Sequence, residues 1–274
     1  MSGVRLALEH ITAWGLEPSA FVDLAAKLEC EAISLFVEAP VPESVGPPFT
    51  TDAALRRDMR ARLDGSGVRL QTIECFALAP DTDVAAFAPA LAAGAEMGGL
   101  TATAIVFDPD RSRVVDNLGK LGALAASFGI AVNVEFITLS ELRNIADAAT
   151  LVGEVGTPGM GVVLDSLHWT RSGGTVADIL AVPPALIGHV QFCDGPRSMP
   201  TDLQLFHEGF LQRMMPGEGD FALDDFVCAL PSGRLVGVEV PLQDLADRGI
   251  PVEERARRAV EASRAFLEKV GYES

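Results

Sequence analysis

Four polar residues stand where apolar runs end: Glu135 in IAVNVEF, Asp165 in GVVLD, Gln191 in IGHVQF and Glu239 in LVGVEV. His168 follows Asp165 by three residues, and Asp194 and Arg197 follow Gln191 at the same spacing. Three carboxylates converging at the ends of neighbouring strands would repel one another and raise their own pKa values. A divalent cation removes that cost. With the amide oxygen of Gln191 the set is all oxygen, which suits a hard ion, Mn²⁺ or Mg²⁺, better than Zn²⁺ or Co²⁺, although geometry can override softness. The competing reading makes each residue a satisfied polar group at a strand end, with Gln191 hydrogen-bonding the loop backbone.

Such convergence requires a scaffold that brings strand ends to one place. Eight β-rich runs begin at Val4, Ala32, Val68, Ala102, Ile130, Gly161, Ile187 and Leu235. Between them, segments such as SAFVDLAAKLEC and VVDNLGKLGALAASF carry apolar residues three and four apart, the period of a helix. Near-continuous apolar strands alternating with amphipathic helices predict a parallel sheet covered by helices. Eight units over 274 residues predict a single α/β domain spanning 1–274, a closed (β/α)8 TIM barrel. An open doubly wound sheet is the alternative; the first βα turn lacks GxGxxG, and eight repeats suit closure better. In a barrel the chemistry sits at the C-terminal strand ends, where the four polar residues fall. One stretch, Gly195 to Gly219, reads as an irregular connection long enough to serve as a lid or substrate loop.

Composition narrows the function. Lys and Arg number 21 against 38 Asp and Glu, a formal charge of −17, which opposes binding to nucleic acid or an anionic membrane. No apolar run approaches membrane-spanning length, and the N-terminus lacks the pattern of a signal peptide. The four cysteines are widely spaced without a CxxC pair, so a reducing cytoplasm is the expected location. Schiff-base chemistry needs lysine near a strand end, but Lys27, Lys120 and Lys269 all fall in predicted surface helices. No GxSxG elbow surrounds Ser166.

The stretches VNVEF, GVVLDSLHW, HVQFCDGPR, RMMPGEGDF and VGVEVP resemble, in order and spacing, the sugar phosphate isomerase/epimerase superfamily, which has a xylose isomerase-like barrel. The resemblance is clear from about Ile130 to Val240; before it, the strand-helix rhythm and ISLFVEAP carry it. Many members have histidine where this chain has Gln191; glutamine in a Q-x-x-D-x-P context resembles the branch containing 3-dehydroshikimate dehydratases. The resemblance implies that Glu135 and Glu239 are both metal ligands and proton-transfer groups, and that Asp165 and Gln191 are ligands only. It implies that His168, Arg197 and Arg213 hold substrate oxygens. An arginine that only braces the loop is the other reading of Arg213, and Trp14, Phe36, Phe76 and Trp169 could wall the pocket or simply pack.

The expected protein is therefore a metal-dependent isomerase or epimerase acting on a small polyhydroxylated carbonyl compound through an enediolate. A dehydratase of the 3-dehydroshikimate or keto-inositol type is the alternative. A non-catalytic binding module is a third reading, which three converging carboxylates oppose. A homo-oligomer is compatible with the sequence; the substrate is not fixed by it, nor is its phosphorylation. A related nuclease chemistry would need a histidine-rich ligand set and a basic groove, whereas this chain has four histidines and a large negative charge.

Overall fold

A computed structural model describes residues 4–37 and 48–272, apart from the side chains at positions 202 and 203. The last three residues of ISLFVEAP, 38–40, lie outside this range. The strands are β1 (Leu6–Leu8), β2 (Ala32–Phe36), β3 (Arg69–Leu78), β4 (Thr101–Val106), β5 (Ala131–Glu135), β6 (Gly161–Asp165), β7 (Ile187–Phe192) and β8 (Val236–Val238). They pair in sequence order, all parallel, and β8 closes onto β1 through Leu6, Ala7 and Leu8. Each of the eight predicted runs overlaps one strand of this barrel, although β3 continues to Leu78 and β4 begins at Thr101, one residue before its run. Burial on both faces explains why: every residue of β2 and of β6 is buried, so the runs are largely apolar.

The helices are α1 (Pro18–Lys27), α2 (Ala53–Ser66), α3 (Ala88–Met97), α4 (Arg111–Ser127), α5 (Ile145–Val155), α6 (Ser166–Arg171), α7 (Val176–Ala181), α8 (Asp202–Phe210), α9 (Leu223–Ala229), α10 (Gln243–Asp247) and α11 (Val252–Lys269). Their starts are written in the sequence. Asp52 caps α2 by accepting from the Ala54 and Leu55 amides, both at 2.9 Å; Asp110 and Asn144 cap α4 and α5 in the same way. All three lysines are exposed on α1, α4 and α11, away from the strand ends. None of the four cysteines, all within the described residues, is in a disulfide.

The segment between Gly195 and Gly219 departs from the expected irregular loop. It contains α8, begun by a capping box of Thr201 and Gln204. Asp194 organises the rest. Its carboxylate accepts from the backbone amides of Gly195, Gly217, Gly219 and Phe221 at 2.8 to 3.1 Å, folding PGEG back over the end of β7. Glycine is required at 219, where a Cβ would stand 2.4 Å from Asp194 Oδ1.

Register then places the polar strand ends. Asp165 lies beside Gln191, and Gln191 beside Gly237, so Glu239, two residues beyond Gly237, faces the same interior. Thr12 holds this strand end by donating to the Val238 carbonyl at 2.7 Å and accepting from the Val240 amide at 2.8 Å.

Candidate functional site

At the C-terminal end of the barrel a cavity is floored by Glu74, Glu135, His168, Arg213 and Glu239. Ile11, Phe36, Ile105, Ile137, Leu139 and Phe210 wall it, so the polar floor meets an apolar rim. Gly209 and Phe210 belong to α8, which roofs the cavity. Arg171 fastens that helix: its guanidinium pairs with the Glu208 carboxylate through Nε (2.8 Å) and Nη2, and lies 4.8 Å from the centre of the Phe221 ring.

Three of the sequence-predicted residues cluster here. Ligand atoms of Glu135, Asp165 and His168 lie within 4.8 Å of one another. His168 Nε2 is 3.8 Å from Glu135 Oε1 and 3.6 Å from Asp165 Oδ2. Asp165 also caps α6, accepting from the Leu167 amide at 2.8 Å, which fixes one carboxylate oxygen and leaves the other toward the interior. Gln191 and Glu239 are joined directly, the amide nitrogen donating to Glu239 Oε1 at 3.0 Å. That bond fixes the amide's orientation. It leaves Gln191 Oε1 buried with no hydrogen-bond partner.

Arg213 ties the two halves together. Its Nη1 is 2.9 Å from Asp165 Oδ2 and 2.7 Å from Glu239 Oε2; its Nε and Nη2 donate to the Gly209 carbonyl at the end of α8. The Glu239 approach is an ion pair whose direction does not make a hydrogen bond. Thus Arg213 braces the loop, one of the two readings that the sequence left open, and its guanidinium also belongs to the charged floor. Burial alone would lower its pKa, but Asp165 and Glu239 more than offset this and hold it charged.

One guanidinium cannot neutralise the carboxylates around it. Burial, and then the Asp165 charge, push Glu135 up to about 8, against the pull of Arg213. Glu239 is likewise raised well above the carboxylate range, by burial and, against Arg213, by Asp165, Glu135 and Glu9. Asp165 differs: burial opposes its charge, yet Arg213, His168 and the Leu167 amide hold its pKa below the usual value. Burial lowers His168 to about 4, so its imidazole is neutral, and its Nδ1 has no hydrogen-bond partner.

These features fit a divalent ion. A buried amide oxygen without a partner stands beside buried carboxylates in excess of their counter-charge, and neutral His168 offers a nitrogen at the same place.

Other predicted residues are placed elsewhere. Arg197 does not reach the cavity: it is exposed on the loop that Asp194 ties down and is absent from the lining. Arg171, three residues after His168, is spent on Glu208. Phe36 does wall the cavity, with the partly exposed Trp14 edge-on against it at 5.6 Å. Phe76 and Trp169 pack in the core, against Phe87 and Phe226. Ser166 is engaged with the Cys193 backbone, donating to its carbonyl and accepting from its amide. Glu218 is exposed.

Glu9, Glu74 and His189 were not singled out from the sequence, yet all three are buried inside the barrel. A signal existed: His189 precedes Gln191 by two residues and shares its face of β7, and Glu74 is an acid between Ile73 and CFAL.

A profile of the xylose isomerase-like TIM barrel matches residues 22–269. No curated protein matches the chain in sequence. Among solved structures, the IolI protein, described with a bound zinc atom, superposes with a TM-score of 0.81 at 16% identity, covering 97% of this chain and 99% of its own. The probable 3-DHS dehydratase AsbF of Bacillus anthracis gives 0.72 at 15% identity, over 95% and 98%. A D-psicose 3-epimerase studied in the presence of D-fructose gives 0.70 at 18%, over 97% and 99%. At these identities the likeness is one of fold.

Proposed function

The chain belongs to the xylose isomerase-like TIM-barrel family, and from that premise we propose that it is a divalent-metal-dependent isomerase or epimerase of a small, uncharged polyhydroxylated carbonyl compound. One observation carries the reading: the partnerless amide oxygen of Gln191, fixed by Glu239 among carboxylates that Arg213 alone cannot neutralise. Glu135, Asp165, Gln191 and Glu239 would hold the ion. When bound, it supplies Lewis acidity toward a carbonyl and a neighbouring hydroxyl oxygen.

The chain's own residues then divide the work. Glu135 and Glu239 both line the cavity, on β5 and just past β8, so a substrate between them meets a carboxylate from two sides. One removes the α-proton to leave an enediolate; the other returns a proton to the opposite face or to the adjacent carbon. Those outcomes are epimerisation and aldose-ketose isomerisation. His168, neutral and lining the cavity, is placed to hydrogen-bond a substrate oxygen. Arg213 faces the same space, held between Asp165 and Glu239. The apolar rim and the Phe210 end of α8 limit water.

Charge supports the uncharged substrate. Arg213 is the one arginine or lysine among the described residues that line the cavity, and it is already engaged by two carboxylates. A phosphate or carboxylate would find no spare arginine or lysine to receive it.

Dehydration is the second reading, favoured by Gln191 at a position where glutamine resembles the dehydratase branch. It shares the enediolate, after which a β-hydroxyl leaves. The test is incubation of the Mn²⁺-loaded protein in D₂O with a panel of ketoses, keto-inositols and dehydroshikimate. Deuterium incorporation into a neutral ketose without loss of water supports the first reading, and a conjugated product supports the second. Turnover of the same compounds by protein stripped of metal would sink both.

A further inference from the structure

Beneath the cavity floor a second group of metal-ligating side chains meets. Glu9 follows β1, Glu74 lies on β3 and His189 on β7; one ligand atom from each lies within 4.8 Å of the other two. His189 Nε2 stands 3.0 Å from Glu9 Oε1. The remaining oxygens are the notable ones: Glu9 Oε2 and Glu74 Oε1 are buried with no hydrogen-bond partner, on side chains only 0% and 4% exposed. Among the described residues no arginine or lysine forms an ion pair with either carboxylate.

The barrel makes room for this group. A Cβ at Gly237 would lie 1.9 Å from Glu9 Oε1, so the missing side chain on β8 is what admits the Glu9 carboxylate. Such a buried carboxylate pair without a counter-charge is costly unless a cation completes it.

We infer that Glu9, Glu74 and His189 form a second divalent-cation site under the cavity, separate from the quartet of Glu135, Asp165, Gln191 and Glu239. The donor chemistry differs between the two. An imidazole nitrogen with two carboxylates suits Zn²⁺, whereas an all-oxygen quartet suits Mn²⁺ or Mg²⁺. Charge balance asks for two ions. Five buried carboxylates, Glu9, Glu74, Glu135, Asp165 and Glu239, face one guanidinium, that of Arg213. One dication leaves two negative charges uncompensated and a second removes them. Glu74 also lines the cavity, which gives the ion a way in.

The test is metal stoichiometry in protein stripped with a chelator, reloaded with Zn²⁺ or Mn²⁺ and desalted. Wild type should retain about two Zn²⁺ per chain. Glu74→Gln and Glu9→Gln, near-isosteric changes, should each retain one, and Asp165→Asn should retain the other one. In wild type, Zn²⁺ addition should also shift the ¹⁵N resonance of the His189 Nε2, a readout that needs no variant to fold. One ion per chain, lost in Asp165→Asn and kept in Glu74→Gln, with the His189 resonance unmoved, would overturn the floor site and leave the quartet standing. One ion lost in Glu74→Gln and kept in Asp165→Asn would support the floor site and remove the quartet.

Discussion

Carboxylates in the barrel and carboxylates on its helical shell are driven in opposite directions. On the shell, Glu254 of α11 accepts from Arg257 and Arg258 at 2.7 to 2.8 Å, and these bonds bring its pKa down to about 2. Asp58 of α2 is lowered in the same way, by hydrogen bonds led by that from Ser19. Inside, Glu74, Glu135 and Glu239 are all raised, with burial the first cause and the charges of neighbouring carboxylates among the rest. Acidic side chains are thus matched with arginine on the shell and left in surplus around the candidate site. A protein of net charge −17 could have distributed its arginines otherwise. Unneutralised acid at the strand ends is therefore a feature to be tested as function.

The largest effect should come from the surplus itself. Glu135→Gln and Glu239→Gln keep an oxygen but remove the proton carrier, so each should lower turnover by roughly 10²-fold or more while still binding metal with reduced affinity. Steady-state kinetics on whichever neutral substrate the D₂O panel identifies checks this. Near-normal turnover in Glu239→Gln would make it a ligand only and leave the two-carboxylate proton transfer without its second member.

A buried acid that does have its arginine sharpens the contrast. Arg171 and Glu208 are both buried and paired in two places, and they fasten the roof helix α8 to α6. Arg171→Met leaves a buried carboxylate alone and should cost about 3–5 kcal/mol of stability. The double change Arg171→Met with Glu208→Leu should recover much of it. Denaturant unfolding of the metal-free protein measures both, and a single variant as stable as wild type would mean that α8 is held by other contacts.

How much of this was legible beforehand divides along the same line. The eight strands were readable because burial on both faces writes continuous apolar runs, and Asp165, Gln191 and Glu239 were readable because polar residues interrupt those runs at their ends. Pairing was not readable. Arg213 lies 48 positions from Asp165 in sequence and 26 from Glu239, and only closure of the barrel brings its guanidinium between them. Arg197, three residues after Asp194, reads like a site residue, but the loop that Asp194 ties down leaves it at the surface. The nine residues of α8 were hidden by the prolines before them, the internal Gly209 and the PGEG that follows, each of which signals a loop when read locally. Glu74 and His189 were passed over because each sits inside a strand rather than at its end.

Titration separates the two populations by sign. In metal-free protein Glu135 holds its proton to about 8, whereas its ordinary value is 4.5. Between these values the folded chain binds more protons than the unfolded one, so this group's contribution to stability falls as pH rises. Glu74 and Glu239 act in the same direction. Glu254, lowered to about 2, contributes stability that is fully present above 4.5 and lost only as pH falls through about 2. Buried His10 and His168, lowered to about 4 from 6.5, oppose this below 6.5, so the Tm of the metal-free protein should decline from about pH 6.5 to about pH 8, and saturating Mn²⁺ should reduce the decline, because ligation requires the deprotonated carboxylates. A metal-free Tm that rises across that range would mean that the barrel carboxylates are ionised without help.

The smallest effect belongs to the shell. Glu254→Gln keeps hydrogen-bond acceptance toward Arg257 and Arg258 but removes the charge, at a side chain one-third exposed to solvent. Solvent screens such a pair, and Arg257 keeps a second partner in Glu261, so the arginine is not left alone. Turnover and metal content should match wild type, and Tm should move by less than in any variant above, with what difference there is shrinking as salt is added. Melting curves at low and high ionic strength, with metal analysis on the same samples, check this. If Glu254→Gln instead changed metal content, shell and barrel charge would be coupled through the fold, and the surplus inside could no longer be treated as a property of the site alone.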